Sequence, residues 1–187
     1  MPPDLIREIE ILKKTAALVN RDLGMLPKEN ADLVIAAADE VIAGKLHEQF
    51  PLRIWQTGSG TQTNLNANEV ISNRAIEMAG GKKGKKNLNR PSEDVNMSQS
   101  FNDAFPTAMY VAAAIVLTEN LAPALKELHE ALETRSQELA HIAKTGRTHL
   151  QDAIPLTGDQ QASGWSSLIE HDLGESDWQL TASTLWR

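Results

Sequence analysis

"LAPALKELHEALETRSQELAHI", Leu121 to Ile142, is the stretch that decides the fold. Leu121, Leu125, Leu128, Leu132, Leu139 and Ile142 recur at spacings of 4, 3, 4, 7 and 3 residues, close to a heptad seam. Such a stripe needs other long helices against it, so the segment predicts a helical bundle. From Pro106 to Ala143 almost every residue is a helix former. Pro123 predicts a kink or break near residues 120–122, because its ring cannot continue the hydrogen-bond ladder.

Upstream, apolar residues at 5, 6, 9, 12, 16 and 19 mark a first helix with Asp4 as its cap and a stop at Gly24. A second helix is expected from about Glu29 to His47, with Leu33, Ala37, Val41 and Ala43 to Leu46 on its apolar side and Pro27 just ahead. A third should run from about Asn64 to Ala79, and a last one should open at Thr157 or Asp159 and pass Trp165 and Ile169. No alternating apolar/polar strand pattern is visible. The fold class is all-α.

The 187 residues carry a formal charge of −7, 41% apolar and 23% charged residues, and no cysteine. A folded globular chain follows. The negative balance argues against a general nucleic-acid or membrane-surface binder, since both partners select positive charge. Disulfides, thiolate metal sites and cysteine nucleophiles are excluded. No run of about 18 apolar residues stands out as a membrane span, and "MPPDLIREIE" has no apolar core of a secretory signal. A cytoplasmic setting is expected, with the mitochondrial matrix as the alternative.

Three polar stretches interrupt the helices. In "TGSGTQTNLNANE", Gly58 and Gly60 allow close backbone approach while Ser59, Thr61 and Thr63 offer hydroxyls ahead of a helix start, which favours an anion. A plain Ser/Thr-rich turn is the competing reading. "SQSFNDAFPTA" sets hydroxyl and amide groups before the next helix, although Asn102 or Asp103 would also serve as a cap. "GRTHLQDA" places His149 beside Arg147 and Asp152. A histidine titrates near neutrality, so it suits proton transfer; Asp152 could pair with it, and Arg147 could grip a carboxylate. A structural loop histidine is the alternative. His47, His129, His141 and His171 form no ligand pattern, so no metal is expected. The basic run from Lys82 to Lys86 reads as a solvated loop. Together the three stretches suggest a polar pocket at bundle helix ends, working on an anionic small molecule with side chains alone.

Taken together, "IWQTGSGTQTNLNANEV", "DVNMSQSFNDAFPTAM" and "GRTHLQDAIPLT" resemble the first active-site regions of class II fumarase, in the fumarase/aspartase superfamily of homotetrameric lyases. The resemblance runs from about Met1 to His171. Gly58-Ser59-Gly60-Thr61-Gln62 and Thr148-His149-Leu150-Gln151-Asp152-Ala153 side with the hydratase against Gly-Ala-Gly-Thr-Ser and Thr-Gln-Leu-Gln-Asp-Ala of aspartase. It implies an N-terminal helical domain (1–103), the first long helices of a central helical bundle (104–171) and a divergent tail (172–187). It also implies reversible hydration of fumarate to L-malate through an aci-carboxylate carbanion, without a cofactor. By position, Ser59, Gly60, Thr61, Ser100, Phe101, Asn102 and Thr148 would bind the dicarboxylate and His149 would relay the proton. Arg90, Pro91, Ser92 and Glu93 stand where the family has a secondary dicarboxylate site, written His-Pro-Asn-Asp there. In the family each pocket is assembled from three subunits of a tetramer, so a homo-oligomer is implied.

Beyond the Arg90–Glu93 segment and the tail, the chain departs from the pattern in three further ways. Phe101 replaces a second serine, and Gly158-Asp159-Gln160-Gln161 replaces Leu-Gly-Gln-Glu. The family's Gly-Ser-Ser-x-Met-Pro-x-Lys-x-Asn loop, which carries the serine base, has no match, so the isolated chain is expected to have no meaningful hydratase activity. An aspartate ammonia-lyase and a non-catalytic helical assembly module are the rival readings.

Overall fold

The structure, a computed structural model, describes residues 1–54, 60–84 and 89–185, with backbone alone for 176–185. Six helices are α1 (Pro3–Asp22), α2 (Lys28–Ile42), α3 (Thr61–Met78), α4 (Phe101–Val116), α5 (Ala122–Leu139) and α6 (Gly158–Leu185). Strands β1 (Ala143–Thr148) and β2 (Gln151–Thr157) form one antiparallel hairpin between α5 and α6. The class is all-α, as expected. Contacts divide the chain into two compact units, Met1–Ala113 and Ala114–Arg187.

In the first unit, α1, α2 and α3 pack on one another. Small residues make the approach close: Ala31, Ala37 and Ala38 of α2 and Ala75 of α3 are fully buried around Val34 and Ile71. A second cluster joins Ile6 and Ile9 to Val41, Phe50, Ala67 and Ala108. The helix ends follow turn chemistry. Gly24 and Gly44, at φ 71° and 77°, take the left-handed conformation that closes α1 and α2. Because Gly44 donates to the Val41 carbonyl at 2.8 Å, α2 stops at Ile42 and does not reach His47. Asp4 lies inside the first turn of α1, where Pro2 holds the cap position. Its charge there still complements the helix dipole.

Leu117–Leu121 form a π-helical turn between α4 and α5. The break expected before Pro123 therefore takes the form of a widened turn, which accommodates a proline ring and its missing donor. Phe101–Leu139 includes an 18-residue window of mean hydropathy 1.5. By length and composition alone it would cross a bilayer, a test that core helices of bundles also pass. In the second unit, α5 packs on α6, yet α5 has no buried residue and Leu121, Leu128 and Ile142 stay 46%, 48% and 45% exposed. The seam is present, and within this unit it is only half covered.

The hairpin corrects the expectation of no strand. Both of its faces are largely exposed, so nothing demanded the apolar/polar alternation by which strands are read. Gly146 sits at a bulge between Thr145 and Arg147, where a Cβ would come within 2.5 Å of the Ile154 carbonyl oxygen.

Gly158 opens α6 against α5. A Cβ there would stand 2.8 Å from the Leu139 Cβ and 3.1 Å from its carbonyl oxygen. Alanine would gain at most about 1 kcal/mol of helix propensity, against about 1–3 kcal/mol for overpacking a contact that cannot rotate away. Gly158→Ala should therefore lower the urea midpoint of the second unit. A raised midpoint would show that the two helices can separate at this point.

Candidate functional site

Two of the three polar stretches meet in the first unit. Gly60 is the N-cap of α3 at φ 70°, and the Phe105 ring of α4 occupies the space a Cβ would need. Only glycine satisfies both conditions. Helix α3 thus begins at Thr61, three residues before the expected Asn64. Helix α4 begins at Phe101, with the Ser100 carbonyl accepting from the Asp103 and Ala104 N–H groups at 3.1 and 2.8 Å. Asn102 and Asp103 therefore lie in its first turn and do not cap it. The positive ends of two helices are neighbours, an arrangement that favours an anion.

Beneath them lies a polar core. Lys13 of α1 is 1% exposed, and its Nζ donates to Asn64 Oδ1 at 2.9 Å and to Asn96 Oδ1 and Gln99 Oε1 at 3.5 Å. Asn64 and Asn68, on α3, donate to Asn96 Oδ1 at 3.1 and 3.3 Å. The 95–99 segment is stitched by its own amides, Asn96 Nδ2 to the Gln99 carbonyl and Gln99 Nε2 to the Val95 carbonyl. Asn20 donates to the Met97 carbonyl at 3.0 Å and accepts from Ser98 Oγ at 2.9 Å. Ile9, Leu12, Lys13, Asn64, Gln99 and Phe105 surround a shallow depression beside this network that is too tight for a water molecule.

Glu10, one turn from Lys13, is fully buried, and neither carboxyl oxygen has a hydrogen-bond partner among the described residues. Burial pushes its pKa from 4.5 up to about 8, with the nearby Lys13 charge opposing the rise. Burial likewise pushes Lys13 from 10.5 down to about 8, with Glu10 opposing the fall. Since its donors go to carboxamides, Lys13 is the group whose charge is solvated by protein.

The third stretch forms the hairpin tip in the second unit. Thr148 pairs with Gln151, and His149 and Leu150 fill a two-residue turn at φ 51° and 63°. Two positive φ values define the type I′ turn, which normally selects Asn-Gly. Histidine tolerates the left-handed region better than most residues; leucine does not. Asp152 pairs with Arg147, its register partner, at 3.4 Å, and not with His149. Leu150 is fully exposed.

Of the anticipated residues, Gly60, Thr61, Ser100, Phe101 and Asn102 belong to the first unit, and Thr148 and His149 to the second. Ser59 lies outside the described residues. At the secondary position, Pro91–Val95 form a π-helical turn. The Arg90 guanidinium pairs with Glu93, and its backbone N–H donates to Asp94 at 2.7 Å. No cluster of three metal-binding side chains occurs among the described residues. Lys13 escaped the sequence reading, and Asn96 and Gln99, although inside a quoted polar stretch, were not singled out. Their one signal was α3 itself, a helix with too few apolar residues for its burial.

The sequence model of a family described as lyase matches residues 4–180. The chain is 53% identical over 173 residues to fumarate hydratase class II of Photorhabdus laumondii, covering 92% of this chain and 37% of that protein. Identity is 57% over 169 residues to the Thermosynechococcus vestitus protein of the same name, covering 90% and 36%. It is 56% over 171 residues to the human mitochondrial fumarate hydratase, covering 91% and 33%. The chain therefore spans little more than a third of these relatives. Among solved structures, a Schistosoma mansoni class II fumarase superposes with a TM-score of 0.85 at 38% identity, covering 96% of this chain and 38% of that one. A Brucella melitensis fumarate lyase:delta crystallin gives 0.87 at 39%, covering 96% and 42%.

Two outcomes follow from the geometry. A carboxyl whose folded pKa exceeds its unfolded value stabilises most at low pH, so Glu10 should make the first unit lose stability as pH rises from 4.5 to about 8. Lys13, shifted the other way, should return stability between about 8 and 10.5. Urea melts of Glu10→Gln at pH 5 and pH 7.5 should show the first slope flattened; an unchanged slope would assign it elsewhere. For Leu150→Gly, relief of about 1–2 kcal/mol of left-handed strain exceeds the roughly 0.4–1 kcal/mol of added unfolded-state entropy. The variant should melt at a higher urea concentration, and a lower midpoint would locate stabilising contacts at that side chain.

Proposed function

The chain belongs to the lyase family whose sequence model it matches from residue 4 to 180, and on that premise we propose that it forms the substrate-cradling part of a class II fumarate hydratase. The reaction is reversible hydration of fumarate to L-malate, with anti addition of water through an aci-carboxylate carbanion. What carries the reading is identity of 53–57% to three fumarate hydratases over nine-tenths of the chain. The contact of Gly60 with Phe105 supports it physically.

In this reading Ser59, Gly60 and Thr61 hold one end of the dicarboxylate with Ser100, Phe101 and Asn102, at the positive ends of α3 and α4. Phe101 offers a ring edge where the family offers a hydroxyl. Thr148 contacts the substrate from another protomer, and the His149 imidazole takes and returns the proton of the water that adds or leaves. Arg90, Pro91, Ser92 and Glu93 form a weak secondary carboxylate site at most, because Glu93 already occupies the guanidinium. Residues 1–103 act as the N-terminal lyase domain and 104–171 as part of the central bundle, while 172–187 diverge. No cofactor takes part. The C3 proton is removed by a serine base from a segment not among these 187 residues.

Mixed assembly tests the proposal. The chain is co-expressed with a full-length class II fumarate hydratase carrying Asn at the position aligned with His149. Co-elution and recovered hydration of fumarate, followed by loss of its ultraviolet absorbance, are expected. Recovery should fall at least about tenfold when the chain carries His149→Asn. Separate elution without activity would refute the reading, and turnover only with added ammonium would favour an ammonia-lyase. The chain alone should be silent.

A further inference from the structure

We propose that Lys13 is a positioning residue that sets the Ser100–Asn102 turn against the start of α3. Its part in substrate binding rests on the dicarboxylate reading above; its hold on the turn does not. Lys13 belongs to α1, which contributes nothing to the three signature stretches, yet its ammonium reaches both of the neighbouring ones. It grips Asn64 in the first turn of α3, four residues after Gly60. Through Asn96 and Gln99 it also grips the segment that ends at Ser100.

Donor counting supports this. An ammonium has three N–H bonds, and three carboxamide oxygens face it at 2.9, 3.5 and 3.5 Å. Asn96 Oδ1 also accepts from Asn64 and Asn68, and the amide nitrogens of Asn96 and Gln99 are spent on their own segment. No other described side chain donates to Gln99 Oε1. An apolar group in place of the ammonium would take the donor from half-buried Gln99 Oε1, in the short stretch that carries the turn, and from buried Asn64 Oδ1 on α3. The core of Val34, Ile71 and Ala75 would not change. Burying a charge is costly. A lysine of α1 held among amides of α3 and of the 95–99 segment fixes the mutual register of these three, which apolar packing of similar volume would not.

The experiment uses the full chain. Lys13→Cys introduces its one thiol, since the sequence has none. Alkylation of the unfolded protein with 2-bromoethylamine creates a lysine-like ammonium, and 1-bromopropane creates its uncharged counterpart. After refolding, hydrogen exchange of the propyl form should be at least about tenfold faster at residues 96–104 and unchanged at 31–42, with the aminoethyl form matching the native chain. Equal exchange in the two alkylated forms overturns the proposal, as does uniform acceleration across the first unit, which would mean general stability. If the propyl form does not refold, Asn96→Ala, with Lys13 intact, should give the same local acceleration, and native exchange there overturns it. In the mixed assembly the propyl form should raise KM for fumarate at least about tenfold with kcat within about threefold, and aminoethylation should restore it. A fall in kcat alone contradicts the role. If the unmodified chain restores no hydration, the substrate reading fails while the exchange pattern still decides whether Lys13 holds the turn.

Discussion

A ring of Phe105 fills the volume that any side chain at position 60 would occupy. That exclusion sets the start of α3 beside the first turns of α4, and the rest of the first unit is arranged so that the contact survives. The alanines of α2 and α3 let those helices close tightly. Asn64, one turn along, then donates to Asn96 in a half-buried contact. Substituting Gly60 would disturb the backbone conformation and the helix spacing together, because φ of 70° and the absent Cβ are demanded at the same atom.

Electrostatics in this unit follows from where charge is allowed to sit. The half-buried pair of Arg74 with Glu40 pulls the carboxylate to lower pKa through its hydrogen bond. The interior pair behaves oppositely, since desolvation outweighs attraction for both Glu10 and Lys13. Carboxamides then do what water would otherwise do for the ammonium. The acid, lacking any such donor, is driven toward its neutral form.

Legibility in the sequence tracked how each element is buried. α1, α2 and α5 show apolar residues at helical spacing, and their presence could be read directly. Their ends shifted by a few residues where left-handed glycines such as Gly44 closed them early. The hairpin was invisible for the opposite reason, as two wet faces impose no period. Glycine loops, hydroxyls and His149 marked the candidate site through residue type. The Lys13 network did not, because a lysine, a glutamate and asparagines on helices look like solvent-facing residues. Only their placement inside the three-helix packing shows otherwise.

Helix α3 also bears on how the chain ages. Spontaneous deamidation of asparagine requires the following backbone nitrogen to attack the side-chain carbonyl through a conformation that an α-helix does not allow. Asn64 and Asn68 sit in helical backbone, nearly free of water, with their amides already engaged. The asparagines at the heart of the fold are thereby shielded from the slow hydrolytic damage to which exposed loop asparagines are prone.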